Sequence, residues 1–108
     1  MVYSMVYTEE FMELFKKAYE FEWNKGNVGK NKKHGLEDAH CEEPFFDVDK
    51  VIYADAIHSS GEERFILLGK TKTGRLLFVA FTVRGGKVRV ISARDLNKRE
   101  VHLYEKAV

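Results

Sequence analysis

Arg64, Arg84, Arg89 and Arg94 lie in the C-terminal half of the chain, and Lys33 and His34 sit in the basic stretch "NKKHG". An arginine presents a rigid fork of donors that matches a phosphate. A histidine or lysine beside it can carry a proton. Such a set suits chemistry at a phosphodiester, where charge develops on phosphoryl oxygens while protons move. The same residue types also serve as solvating, strand-edge cations, and residue type alone favours that use. Trp23 and Tyr104 carry a parallel ambiguity, between stacking a base of single-stranded RNA and packing a core.

Other chemistries find little support. His34, His40, Cys41, His58 and His102 are the candidate soft ligands, and no pair of them has zinc-site spacing, so neither metal nor cofactor is expected. Ser92 and Cys41 lack the local signature of a nucleophile. "GKTKTGR" holds a glycine, a lysine and threonines without phosphate-loop spacing, and reads as a hairpin turn.

The chain has 108 residues and a net charge of +1, so partners must be read from charge distribution rather than charge total. Residues 24–36 hold four lysines and no acid, residues 37–63 hold nine acids and one lysine, and residues 64–108 hold eleven basic and three acidic residues. If folding joins the two basic blocks, the result is a surface suited to a polyanion. A single cysteine excludes an internal disulfide and favours a reducing compartment. The longest apolar run, Leu76–Phe81, is far too short for a membrane span, and the N-terminus lacks a secretion signal. The expectation is a soluble cytoplasmic protein with no membrane partner.

The elements that must position these residues follow from periodicity. Thr8 caps a predicted helix over 9–19, whose apolar residues recur at helical spacing. "EFEW" (20–23) alternates as a short strand. A helix is predicted over 25–33, stopped by Gly35, and another over 37–43, ended by Pro44. Strands follow at 51–57, 64–70, 75–83 and 88–93, and the third is apolar on both faces, as befits a sheet centre. "RGGK" (84–87) is a two-residue hairpin that sets Arg84 beside Arg89. Asn97 and Glu100 fit reciprocal capping of a last helix, whose Val101, Tyr104 and Val108 form an apolar stripe. The fold class is α+β: N-terminal helices, a four-stranded antiparallel meander and a closing helix.

"FEWN" (21–24), "NKKHGL" (31–36), "FFD" (45–47), "GEERFILLG" (61–69), "FTVRGGKVRVISAR" (81–94) and "KREVHLY" (98–104) together resemble the BrnT family of type II toxin–antitoxin toxins. The likeness runs from about residue 21 to 106, which leaves residues 1–20 as a helical extension to a toxin domain at 21–108. It implies a RelE-like fold and a metal-independent ribonuclease that inhibits translation. It also implies an antitoxin partner resembling BrnA, with a homodimer or a toxin–antitoxin heterotetramer as the assembly. The matching positions are Lys33, His34, Arg64, Arg84, Arg89 and Arg94, with the arginines at the phosphate and either His34 or Lys33 moving a proton. Trp23 and Tyr104 would contact RNA. The sequence departs from the family pattern at Asn24 and Asn27, where an aspartate and a lysine are usual. A non-catalytic module of the same fold, holding RNA or antitoxin only, is the rival reading.

Overall fold

A computed structural model describes residues 20–55 and 61–106. The predicted helix at 9–19 and the end of the first predicted strand, residues 56 and 57, lie outside the described residues, as does Val108.

Four strands form one antiparallel sheet in chain order: β1 (Val51–Ala54), β2 (Phe65–Lys70), β3 (Leu76–Arg84) and β4 (Lys87–Asp95). This is the predicted meander. Gly85 and Gly86 both take left-handed φ, 55° and 77°, which the tight β3–β4 hairpin demands and other residues resist. The β3–β4 ladder shifts register after Ala80, because Ser92 pairs with Ala80 while Val90 pairs with Phe81. Ile91 is therefore an extra residue, a β-bulge of the kind that bends a strand and re-aims its side chains.

The sheet is buried on both faces, which is why its central strands alternate so little. One face packs Leu67, Leu77, Val79, Phe81, Val88 and Val90 against Leu36, Cys41 and Phe45. The other packs Ile66 and Leu68 against Tyr104, with Phe78, Leu96 and Leu103 alongside. Helix α2 (Lys98–Lys106) covers this second face. Its start is the predicted reciprocal cap: Glu100 N–H donates to Asn97 Oδ1 and Asn97 N–H donates to Glu100 Oε1, both at 2.9 Å.

The segment before the sheet differs from expectation. The helix predicted over 25–33 is instead a turn followed by a 3-10 helix, Lys30–His34. Gly29 and Gly35 bracket it in the left-handed region, φ 68° and 71°, so no α-helix propagates through either point. Helix α1 (Asp38–Glu42) matches the element predicted at 37–43, but Pro44 does not end the helical run. It opens a second 3-10 helix, Glu43–Phe46, where its missing N–H costs nothing. The predicted strand at 20–23 is a single parallel bridge, Phe21 to Val88, with Val88 N–H donating to Glu20 O and Glu22 N–H to Val88 O.

Asp47 ties these layers together. Its Oδ2 accepts from the Tyr104 hydroxyl at 2.6 Å and from Lys70 N–H at 2.8 Å, and its Oδ1 accepts from Asp49 N–H. Burial pushes its carboxyl up, but the Tyr104, Asp49 and Lys70 donors outweigh that and hold it below the ordinary aspartate value. Burial, and then Asp47, push the Tyr104 hydroxyl upward. A carboxyl held low stabilises the fold above its unfolded-state pKa, and that stability is lost as pH falls through the folded-state value. Tyr104→Phe should therefore cost about 1.5–3 kcal/mol at pH 7, the range for a hydrogen bond to a charged group. It should also shrink the acid-side loss of stability, as read by urea unfolding at neutral and acidic pH.

Candidate active site

The hairpin places Arg84 and Arg89 on adjacent strands, with Thr82 directly paired to Arg89. Arg64 enters from the residue before β2, whose Phe65 pairs with Phe81 one step from Thr82. Thr82 Oγ1 donates to Glu63 O at 2.7 Å, tying that entry to β3. The three arginines consequently line one cleft of about 160 Å³, together with Gly26, Lys30 and Glu62.

Arg84 and Arg89 are each held by a carboxylate. Arg84 Nε and Nη2 donate to Glu62 Oε2 and Oε1 at 2.7 and 3.3 Å. This bond, more than the general attraction of Arg84, Arg64 and Arg89, draws the Glu62 carboxyl below its ordinary value. Arg89 Nη1 donates to Glu22 Oε1 at 3.3 Å, and its side chain is only 13% exposed. It lies across Gly26, where an added Cβ would collide with the guanidinium. The turn carrying Gly26 is pinned by Asn27, which is buried: its Nδ2 donates to Glu22 O and Val90 O, and its Oδ1 accepts from Asn24 N–H. Asn24 Oδ1 in turn accepts from Gly26 N–H at 2.9 Å. Asn24 and Asn27, both departures from the family pattern, thus serve the turn beneath Arg89.

The other predicted residues are placed elsewhere. Lys33 and His34 are exposed on the first 3-10 helix and do not line the cleft. Lys33 follows Lys30 by three residues, so the two share a face of that helix. The His34 carbonyl accepts from Arg75 Nη2 at 2.6 Å, and Arg75 pairs with Asp95 at the far end of β4. Arg94 makes a two-bond fork to Glu100, at 2.7 and 2.8 Å, and stacks over the Phe78 ring at 4.0 Å. Burial raises the Glu100 carboxyl, yet Arg94 and the Asn97 N–H bring it below its ordinary value. Trp23 packs on the core and donates its indole N–H to Glu42 at 2.7 Å. Tyr104 is buried and bonded to Asp47.

Sequence reasoning passed over Lys30, Glu62 and Gly26. Lys30 had a signal, one 3-10 turn before Lys33. Glu62 had only its place two residues before Arg64 in "GEER", which reads first as a turn. Among the described residues no three His, Cys, Asp or Glu side chains are grouped to hold a metal. Burial, followed by Asp38, pushes the Cys41 thiol up to about 11, so it stays protonated at neutral pH.

An arginine-walled cleft on a small antiparallel sheet, with an acid and a lysine among its walls, gathers the donor types that suit a phosphodiester. Residues 23–100 match the family described as the ribonuclease toxin, BrnT, of type II toxin–antitoxin systems, and the chain belongs to that family. No curated protein matches the chain. Membership makes it a type II toxin of ribonuclease class, with RNA as substrate and an antitoxin as partner.

Gly26→Ala should push the Arg89 guanidinium out of place, because the far end of a side chain yields more easily than backbone. The expected result is several-fold weaker binding of a 2′-deoxy RNA analogue in fluorescence anisotropy.

Proposed function

We propose that the chain is a metal-independent endoribonuclease with a RelE-like fold that inhibits translation by cutting RNA. The convergence of Arg64, Arg84 and Arg89 on one cleft carries this reading. Cleavage by the neighbouring ribose hydroxyl builds negative charge on the phosphoryl oxygens, and preorganised donors stabilise that charge most where water is partly excluded. Arginine forks suit this task better than lysines because each offers paired donors in a plane. Lys33 and His34, the proton carriers that the family resemblance offers, stand on the 3-10 helix whose first residue, Lys30, lines the cleft. Arg94, Trp23 and Tyr104 are assigned scaffold roles, since each is committed to a partner in the fold and none lines the cleft.

Its partner on this reading is an antitoxin resembling BrnA, in a heterotetramer or with the toxin as a homodimer, in the cytoplasm. No helix among the described residues is long and apolar enough to cross a membrane. The family match begins at Trp23, which supports residues 1–20 as an extension to a toxin domain at 21–108.

Induced alone in bacteria, the wild-type chain should arrest growth and degrade transcripts. Arg89→Ala should lower in vitro cleavage by about 100-fold or more, the usual loss when one such donor is removed. EDTA should leave cleavage unchanged. A wild-type chain that neither slows growth nor cuts RNA would leave the non-catalytic binding module as the function.

A further inference from the structure

Cleavage through the ribose hydroxyl requires a base within hydrogen-bond reach of that hydroxyl, ionised at the working pH. Lys33 and His34 do not line the cleft where the arginines meet. Thr82 turns its hydroxyl to Glu63 O. Among the described residues lining the cleft, the one carboxylate is Glu62. Glu22 pairs with Arg89, and neither Glu22 nor Glu63 lines the cleft.

From this geometry we propose that Glu62 is the general base of the reaction, held in position by Arg84; the assignment rests on the ribonuclease reading above. The Arg84 fork grips both Glu62 oxygens, which fixes the carboxylate plane. Each oxygen keeps a further lone pair for a substrate hydroxyl. The Glu62 side chain is 36% exposed, so a ligand in the cleft reaches it without a conformational change.

The step balances within the cleft. The 2′-hydroxyl proton passes to a Glu62 oxygen as the 2′-oxygen bonds to phosphorus. The bond from phosphorus to the 5′-oxygen breaks, and that oxygen takes a proton from the Lys30 ammonium. The products are a 2′,3′-cyclic phosphate and a 5′-hydroxyl, and water then restores the proton to Lys30 and removes it from Glu62. The transfer also redistributes charge usefully. As Glu62 is protonated it releases its hold on Arg84, which becomes available to the phosphoryl oxygens at the moment their charge grows.

The charged groups that line the cleft with Glu62 are Arg84 from β3, Arg89 from β4, Arg64 from its own segment and Lys30 from the 3-10 helix, and Glu22 pairs with Arg89. Arg84 foremost keeps the carboxyl ionised through neutral pH. The acid limb of the cleavage profile should therefore fall below the ordinary glutamate range.

The test compares the full-length wild type, Glu62→Gln and Glu62→Asp. It uses single-turnover cleavage of a short single-stranded RNA across pH, and binding of its 2′-deoxy counterpart, which cannot react. Glu62→Gln should slow cleavage by about 100-fold or more, in the range for a lost general base, and abolish the acid limb. It should bind the 2′-deoxy strand as well as wild type or better, and Glu62→Asp should recover part of the rate with the limb intact. Cleavage by Glu62→Gln at or above the wild-type rate would overturn the proposal, since the carboxylate would then only compete with phosphate for Arg84. A loss of rate matched by lost 2′-deoxy binding, with the acid limb unmoved, would overturn it as well and leave a purely structural ion pair. A wild type that binds the strand but cuts no RNA would refute the ribonuclease reading itself, and this base with it.

Discussion

The outer edge of β4 is the constraint on which the rest of the structure depends. An edge strand exposes backbone donors and acceptors that must find partners once they are buried. Here the partners all come from one stretch near the start of the described chain. The backbone at Glu20 and Glu22 pairs with Val88, the Asn27 amide reaches Val90 O, and the buried Asn31 accepts from Ala93 N–H at 2.9 Å. Two side-chain amides thus do the work of a missing strand. Because they are buried, removing either would strand a backbone group without water. The same pins carry Glu22, Gly26 and Lys30 to the side of Arg89, so closing the sheet edge and building the cleft are one event.

Charge segregation along the chain acquires a similar explanation. Three residues of the acidic block are tied to partners from other parts of the chain. Glu62 meets Arg84, Glu42 takes the Trp23 indole, and Asp47 receives Tyr104. Exposed ion pairs contribute little to stability. Their value here is directional: Glu22 and Glu62 aim two arginine forks at one volume of about 160 Å³. Arg94 shows the contrast. Its fork meets a Glu100 carboxylate that is buried and also caps α2, so that guanidinium organises the fold rather than the cleft.

The strands, the Gly85–Gly86 hairpin and the cap of the last helix were legible because each is a local rule. Alternation, paired glycines and an Asn-to-Glu spacing act over a few residues. The stretch at 25–33 was not legible, since lysines and asparagines at helical spacing outweigh two glycines in a local reading. In the fold, Asn27 and Asn31 are worth more as partners of β4 than as helix surface. The bulge at Ile91 also left no local mark, as it depends on the register between two strands.

By itself the sequence determined the meander, its hairpin, the adjacency of Arg84 and Arg89, and, through its motifs, the family. Only the tertiary structure decided which charged residues share a cleft. It admitted Arg64, Lys30 and Glu62, committed Arg94 and Tyr104 to Glu100 and Asp47, and set Lys33 and His34 outside the lining. The reason is range. Hydrophobic periodicity and turn chemistry are fixed by neighbours in the chain, whereas a site is fixed by hydrogen bonds such as that from Asn27 to Val90, across sixty-three residues that no local pattern encodes.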